Sequence, residues 1–425
     1  MGSVGRWGIG WCSGGKGEVE LPYLCRLMVY KVIGLMSGSS LDGLDIVYVH
    51  LQENVSTIRD NPRKWEFSIL HAACYPYSKE WREQLAAARH LPAGEYLTLH
   101  TAYGRYLGGQ VLRFIEEHHL HYQVQLIASH GHTTFHSPEH KMTAQLGDGA
   151  ALAAATGINV VSDLRAMDVA LGGQGAPIVP VGERLLLQDH AFFLNLGGIA
   201  NISAHQVERS AEAGNFIAFD VCPAGRVLNA LAGLAGKEYD DNGVLAASGT
   251  VDVQLLERLN TLSYYEKPYP KSLANEFGTE MVLPMILEAM NGGRIMENVD
   301  PGARGISVED ALRTYVEHIA VQVRQAVADL IPGADDGPTL KAGRKMLVTG
   351  GGAHNGYLIG RLKEWLQPLD VEVVVPDDQL TDYKEALVMA LIGVLRWREE
   401  NNVYASVTGA SRDSIGGAVW IGQEV

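Results

Sequence analysis

The chain has 425 residues, too many for a single hydrophobic core, so we expect two domains of ordinary size. Its 47% hydrophobic and 20% charged residues are typical of a globular protein, and its net charge of -15 argues against nucleic acid or an anionic membrane as the main partner. The four cysteines lack CxxC spacing, which indicates free thiols in a reducing compartment.

The sequence divides into two predicted α/β halves, residues 29–185 and residues 186–425, behind an N-terminal extension of residues 1–28. The extension is rich in glycine, lacks the apolar core of a signal peptide and is given no role. No apolar run is long enough to span a membrane, so we expect a cytoplasmic protein with no membrane partner.

The first half begins with three predicted strands, and a glycine turn joins the first two. Helical periodicity follows, then a buried strand that ends in a polar turn, and then a helix of small residues. In chain order the segments are the strands Tyr30–Met36, Leu44–Leu51 and one within Lys64–Tyr77, the helices Glu80–His90 and Glu95–His118, the strand Val124–His136 and the helix Gly149–Gly157.

The second half repeats the order strand, glycine turn, strand at His190–His205 and continues through a mostly helical middle. It closes with a strand and a glycine turn in Lys345–Leu362, a strand in Val371–Pro376 and a helix from about Lys384 to Arg398. The C-terminal helices are candidates to cross back to the first half.

Three glycine turns suggest a nucleotide site: "GLMSGSSLDG" after the first strand, "LNLGGIANIS" between two strands and "VTGGGAHNG" between a strand and a helix. Glycine lets backbone amides approach a phosphate closely, and clustered amides bind anions. None of the turns matches the pattern GxxxxGK[ST], and the third lacks the last glycine of GxGxxG. Their arrangement resembles the actin-like sugar kinases, which clamp a nucleotide between two similar domains.

This resemblance predicts an α/β fold of two actin-like (RNase H-like) domains with an ATP cleft between them. The first two turns would hold phosphates, and the third would face the adenosine. Asp45 would hold Mg²⁺ directly or through water, whereas a turn-capping role explains Asp42 almost as well. The predicted ATP-binding residues are Gly38, Ser39, Ser40, Leu41, Asp42, Gly43, Leu44, Asp45, Gly197, Gly198, Gly350, Gly351, Gly352 and Asn355.

A further candidate site lies in "GINVVSDLRAMDVALGGQGAPIVPVGE", residues 157–183. Asp168 is flanked there by Met167 and Val169, and a partly desolvated carboxylate is suited to act as a general base. The small residues that follow leave room for a ligand to approach the backbone. We therefore predict substrate contacts from Gly172, Gly173, Gln174 and Gly175.

From about Tyr30 to its C-terminus the chain resembles the 1,6-anhydro-N-acetylmuramic acid kinases. The motifs that carry this resemblance are "GLMSGSSLDGLD", "SHGHTTFH", "QLGDGAALAAATGINVVSDLRAMDVALGGQGAPIVP", "LNLGGIANIS", "KPYPKS", "TGGGAHNG", "EALVMALI" and "SVTGAS". The resemblance implies ATP with Mg²⁺, a role in recycling cell-wall amino sugars, and a homodimer.

The same resemblance implies roles for individual residues. Asp168 becomes the base that activates water, and His130 and Gly131 become substrate contacts, although packing would explain His130 as well. Glu385 matches a second acid near the sugar, although an exposed glutamate in the first turn of a helix would look the same. The implied reaction fits these residues, because a 1,6-anhydro bond leaves no free 6-hydroxyl and water must open the ring while O6 takes the γ-phosphoryl group.

The sequence departs from the family pattern at three places. The usual "MSGTS" is "MSGSS", which keeps a hydroxyl, and "HGQT" becomes "HGHT" with His132 in place of the amide. The motif "FDTGPGN" is replaced by "FDVCPAGRVLN" (Phe219–Asn229), which loses a glycine-rich turn and gains Arg226. Substrate preference is therefore less firmly predicted than the fold.

Two other functions remain open at this stage. A related kinase acting on levoglucosan would use the same water-plus-ATP chemistry, and a cation near the lactyl carboxylate would favour muramic acid over it. A non-catalytic, nucleotide-dependent interaction protein would need the phosphate turns but not the Asp168 loop. The histidines around His130 lack companion cysteines, and we predict no zinc site there.

Overall fold

The computed structural model describes residues 28–38, 41–54, 64–205, 216–269, 271–274, 276–292, 305–331 and 343–423. Residues 1–27 of the predicted extension, with Cys12 and Cys25, and the residues Ser39 and Ser40 lie outside this part of the chain, whereas Met28 begins the first strand. Cys74 and Cys222 lie within it and are free thiols.

Thirteen strands are present in the described residues. They are β1 (Met28–Ser37), β2 (Gly43–Asn54), β3 (Lys64–Pro76), β4 (Leu126–Ser129), β5 (His132–Ser137), β6 (Met142–Leu146), β7 (Val160–Ser162), β8 (Phe192–Leu196), β9 (Ile199–His205), β10 (Phe216–Pro223), β11 (Arg344–Thr349), β12 (Val371–Val374) and β13 (Ala418–Trp420).

The same residues contain thirteen α-helices. They are α1 (Lys79–Ala87), α2 (Ala93–Glu117), α3 (Gly149–Thr156), α4 (Ala166–Ala170), α5 (Pro180–Leu186), α6 (Gly225–Leu234), α7 (Val244–Ser248), α8 (Val253–Asn260), α9 (Leu283–Met290), α10 (Val308–Leu330), α11 (Gly356–Leu366), α12 (Asp378–Trp397) and α13 (Ala405–Thr408). None of the described helices combines the length and hydropathy that crossing a membrane would require.

The two main sheets repeat one strand order. The first runs β13-β7-β4-β1-β2-β3 and the second runs β10-β9-β8-β11-β12. In each, three consecutive strands form an antiparallel meander, and two later strands continue the sheet in parallel from the first strand of that meander. This duplication confirms the predicted α/β fold with two actin-like halves.

Helix α12 joins the halves, because it follows β12 of the second sheet and packs on β1, β2 and β4 of the first. Its backbone approaches β1 closely at Gly34, where a Cβ would lie 2.0 Å from the carbonyl oxygen of Ala386. Only glycine allows this contact between helix and sheet. After α12, strand β13 pairs antiparallel with β7 and so returns the chain to the first sheet.

The strands and helices predicted for both halves are confirmed, with two corrections. The predicted strand Val124–His136 is two strands, because β4 ends at Ser129 and Gly131, with φ +69°, turns the chain into a hairpin of β5 and β6. The last long helix begins at Asp378 rather than near Lys384, because the Asp377 carboxylate accepts the Leu380 N–H at 2.8 Å and caps it there.

Candidate active site

A cleft of about 1060 Å³ lies between the two sheets. It is lined by the loop after β1, the hairpin of β8 and β9, the start of α6, the turn after β11 and the first turns of α12. The predicted site residues that line it are Gly38, Asp42, Asp45, His130, Gly197, Gly198, Gly350, Gly351, Gly352, Asn355 and Glu385. The structure therefore brings all three glycine turns to one cavity.

The glycine turn after β11 is shaped by close backbone contacts. Gly350 has φ +84°, and a Cβ there would lie 2.3 Å from the side-chain oxygen of Asn195. Gly351 faces open space, and Asn355 caps α11 by accepting the Leu358 N–H at 2.9 Å. The Thr349 hydroxyl, at the end of β11, is buried in the cleft wall without a hydrogen-bond partner in the described structure. Bare backbone and an unsatisfied hydroxyl fit a polar ligand such as a nucleotide.

Acidic side chains cluster where the cleft meets β2 and α12. The pKa of Asp45 is raised to about 6, mainly by burial; the hydrogen bond with Cys74 lowers it, and the charges of Glu385, Asp382 and Asp42 add to the rise. A divalent cation would relieve this concentration of negative charge. The described residues hold no cluster of three or more metal-ligating side chains, so a magnesium ion here would need phosphate oxygens and water to complete its coordination.

Arg165 lies at the other end of the cleft and was not predicted from the sequence. Its Nε donates to Nε2 of His130 at 2.8 Å, and its Nη1 donates to the Gly175 carbonyl at 2.5 Å. Because Nδ1 of His130 lies 2.8 Å from the Gly131 carbonyl, Nδ1 carries the ring proton and Nε2 is the acceptor. Burial lowers the pKa of Arg165 to about 10, so the guanidinium is charged at neutral pH.

Glu385 lies between the two ends of the cleft. Its charge raises the pKa of Asp45 on one side and that of Arg165 on the other. The alternative of an exposed glutamate in the first helical turn is wrong, since α12 begins at Asp378 and Glu385 is partly buried about two turns later.

Asp168 is placed beside the cleft rather than in its wall. Its carboxylate is fully buried, accepts the Gly175 N–H at 2.7 Å and the Thr408 hydroxyl at 2.7 Å, and has no exposed surface. Gly173 lies directly over it, because a Cβ there would be 2.3 Å from Oδ2. The loop of residues 172–175 thus covers this carboxylate.

Other predicted contacts also lie outside the cleft wall. Leu44 packs in the core of the first sheet, and Gly43 lies so close to β3 that a Cβ would be 2.6 Å from the Cys74 sulfur. Gly131 packs against the Leu146 carbonyl in the β5–β6 hairpin. Leu41, Gly172, Gly173, Gln174 and Gly175 do not line the cleft either.

A buried ion pair near the cleft was also missed. Lys384 Nζ lies 2.8 Å from Oε1 of Glu183, both side chains are 4% exposed, and Ser203 donates to the second carboxylate oxygen of Glu183. Lys384 is on α12, Glu183 on α5 and Ser203 on β9 of the second sheet. The pair therefore ties α5 and α12 to the second half.

Comparisons with known proteins give one consistent family. A family model described as "Anhydro-N-acetylmuramic acid kinase" matches residues 30–422. A protein of that name from Gloeobacter violaceus is 33% identical over 393 residues, covering 89% of this chain and 96% of its own length. Another from Coxiella burnetii is 33% identical over 407 residues, covering 93% of this chain and 98% of its own length.

Similarity to solved structures is weaker. The activator of the 2-hydroxyisocaproyl-CoA dehydratase from Clostridium difficile is 13% identical with a TM-score of 0.38, covering 88% of this chain and 96% of its own.

Proposed function

The chain belongs to the anhydro-N-acetylmuramic acid kinase family, and we propose that it opens the 1,6-anhydro ring of 1,6-anhydro-N-acetylmuramic acid and phosphorylates O6. The products are N-acetylmuramic acid 6-phosphate and ADP, and the reaction serves the recycling of cell-wall amino sugars. The observation that carries this proposal is the cleft between the two sheets, in which the glycine turns of both halves lie opposite Arg165 and Glu385.

The nucleotide side of the proposal rests on the three glycine turns. The segment Gly38–Asp45 and the turn Gly197–Gly198 take the phosphates, and Gly350–Gly352 with Asn355 face the adenosine. Ser39 and Ser40 belong to this assignment by sequence alone. The bare backbone at Gly351 and the unsatisfied Thr349 hydroxyl support it.

Magnesium fits the acidic end of the cleft. Asp45 would hold it, directly or through water, with Asp42 and Asp382 nearby. When bound, the ion neutralises charge on the phosphates. Burial and the neighbouring carboxylates raise the pKa of Asp45, so a positive charge beside it would be favourable.

The proposed chemistry is hydrolysis coupled to phosphoryl transfer. Water attacks C1 of the sugar and gives up a proton to Asp168, while the bond between C1 and O6 breaks. O6 then forms a bond to the γ-phosphorus, and the bond to the β-phosphate oxygen breaks to leave ADP. Because Gly173 and Gly175 cover the Asp168 carboxylate, this role requires the loop 172–175 to shift when the sugar binds.

The sugar side of the proposal favours a substrate that carries a carboxylate. Arg165 is a charged guanidinium in the cleft wall, and its Nη2 has no hydrogen-bond partner within the described residues. It is suited to bind the lactyl carboxylate of muramic acid, a group that levoglucosan lacks. Glu385 lies near enough to Arg165 to be the second acid at the sugar. His130 supports Arg165, and Gly131 and residues 172–175 remain proposed substrate contacts.

The experiment measures ADP release with Mg·ATP and each of three sugars: 1,6-anhydro-N-acetylmuramic acid, 1,6-anhydro-N-acetylglucosamine, which lacks the lactyl group, and levoglucosan. Turnover of the muramic substrate with a much lower kcat/KM for the other two supports the proposal. Equal or preferred turnover of levoglucosan would reject the substrate assignment and keep the mechanism. Absence of ADP release with any sugar would favour a nucleotide-dependent interaction protein.

A homodimer and a cytoplasmic location remain predictions. Light scattering of the purified protein and fractionation of cells that express it would test them. The boundaries of the two proposed domains, at residues 29–185 and 186–425, are likewise predictions, which limited proteolysis with and without ATP would examine.

A further inference from the structure

The backbone of the turn Gly197–Gly198 is oriented so that it can donate a hydrogen bond to an anion. Its carbonyl groups are used by α6, because the Gly225 N–H donates to the Gly197 oxygen and the Ala224 N–H donates to the Gly198 oxygen, both at 2.9 Å. A trans peptide holds its N–H and C=O on opposite sides, so the Gly198 N–H points away from α6. In the described part of the chain this N–H has no recorded acceptor.

The guanidinium of Arg226 lies beside the same turn. Its Nε and Nη2 are each 3.8 Å from the position that a Cβ on Gly198 would take. Arg226 is exposed and lines the cleft, and none of the described carboxylates forms an ion pair with it. The Arg226 guanidinium and the free Gly198 N–H therefore lie close together on the cleft wall.

The charge balance of the cleft makes this cation important. Its described walls carry seven carboxylates, Asp42, Asp45, Asp220, Asp240, Asp241, Asp382 and Glu385, against three cations, Arg165, Arg226 and Lys384. Lys384 is paired with Glu183, and Arg165 is held by His130 and Gly175. A polyphosphate entering so acidic a cleft needs compensating charge, and Arg226 can supply it without breaking a contact.

We propose that Arg226, together with the Gly198 amide, binds the phosphate groups of the nucleoside triphosphate. The inference rests on the proposed nucleotide side of the cleft and adds to it Arg226, which directly follows the seven positions, Phe219–Gly225, that stand where the family motif "FDTGPGN" would lie.

The test compares Arg226→Gln and Arg226→Lys with the wild-type protein in binding titrations with ATP and with adenosine, without sugar. Arg226→Gln is expected to weaken ATP binding about tenfold and to leave adenosine binding unchanged, because only ATP carries phosphates. Arg226→Lys keeps the charge and is expected to lose only about threefold. Arg105→Gln is the matched control, since Arg105 is exposed on α2 away from the cleft.

Unchanged ATP affinity in Arg226→Gln would overturn the inference. An equal loss of affinity for ATP and adenosine would overturn it as well, because it would mean a structural role for Arg226. These outcomes do not depend on the sugar: if the wild-type protein binds ATP but releases no ADP with any anhydrosugar, the proposed function fails while the titrations still decide the role of Arg226.

Discussion

His130 accepts a hydrogen bond from Arg165, with 2.8 Å between Nε2 of the imidazole and Nε of the guanidinium. His130 is 3% exposed, and burial lowers its pKa to about 3, with the Arg165 charge as the second cause. The ring is neutral with its proton on Nδ1, and its Nε2 is occupied by the hydrogen bond from Arg165. Its function in this structure is to hold Arg165 in the cleft wall.

This relationship predicts different results for two variants of His130. His130→Ala leaves the Arg165 Nε without an acceptor, so the free energy of unfolding falls by about 2–3 kcal/mol and the KM for the sugar rises. His130→Gln offers a carboxamide oxygen in its place and is expected to lose about 1 kcal/mol. Chemical denaturation and steady-state kinetics measure both effects, and a changed KM for ATP with an unchanged KM for the sugar would contradict the assignment.

The same histidine gives the protein a pH dependence of known sign. The folded-state pKa of His130 lies below the unfolded value of about 6.5, so its contribution to stability is complete above pH 6.5 and is lost as the pH falls towards 3. His130→Gln cannot titrate and is expected to lose less stability than the wild type between pH 6.5 and pH 4. Identical pH profiles of the melting temperature would contradict this.

We expect the buried Asp45 carboxylate to lower the stability of the folded protein at neutral pH although magnesium-dependent activity needs it. Its folded pKa of about 6 exceeds the ordinary aspartate value of 3.8, so its stabilising contribution is present at low pH and is lost as the pH rises through 6. Asp45→Asn is therefore expected to be more stable than the wild type at pH 7.5, by up to about 3 kcal/mol, with the difference vanishing near pH 4.

If Asp45 holds the metal, the same variant loses most magnesium-dependent activity. Asp378→Asn is the matched control, because Asp378 is exposed at the start of α12 and does not line the cleft. An Asp45→Asn protein that is less stable at pH 7.5, or that keeps full activity, would count against the account of the acidic wall.

The buried pair of Lys384 and Glu183 predicts strong non-additivity. Lys384→Met leaves the Glu183 carboxylate buried and unpaired, which is expected to cost about 3–5 kcal/mol in the free energy of unfolding. In the double variant, Glu183→Gln removes the unpaired buried charge. It should restore most of that stability, since Ser203 can still donate to the carboxamide oxygen. Denaturant titration of the single and double variants measures the coupling, and additive losses would show that the pair is not a unit.

Thr408 is predicted to position Asp168. Thr408→Val removes the hydroxyl that donates to Oδ1 at 2.7 Å, so we expect kcat to fall about tenfold while ATP affinity is kept. Thr408→Ser retains the hydroxyl and should restore activity. Equal activity of the valine and serine variants would show that this hydrogen bond has no part in the reaction.

Much of the fold follows from local patterns in the sequence. The strands around the turns at Gly38 and Gly197 show as apolar runs broken by glycine, and the observed sheets confirm them. The start of α12 was placed too late, because the N-cap at Asp377 lies seven residues before Lys384 and was not recognised.

The site was harder to predict than the fold, because its contacts join distant parts of the chain. Thr408 meets Asp168 across 240 positions, Lys384 meets Glu183 across 201, and Arg165 meets His130 across 35. Each motif was visible by itself, but nothing in one linear sequence says which side chains of different motifs touch. The covering of Asp168 by Gly173 is a tertiary feature of the same kind.

The central claim is that Asp168 activates water for the opening of an anhydrosugar ring. The most direct measurement is sugar-dependent ADP release with Mg·ATP and 1,6-anhydro-N-acetylmuramic acid, for the wild type, Asp168→Asn and Glu385→Gln, with ATP binding measured alongside. We predict turnover by the wild type and a loss of about a thousandfold or more in Asp168→Asn with ATP affinity unchanged. An Asp168→Asn protein that keeps wild-type turnover would contradict the claim, and collapse of Glu385→Gln alone would move the role of base to Glu385.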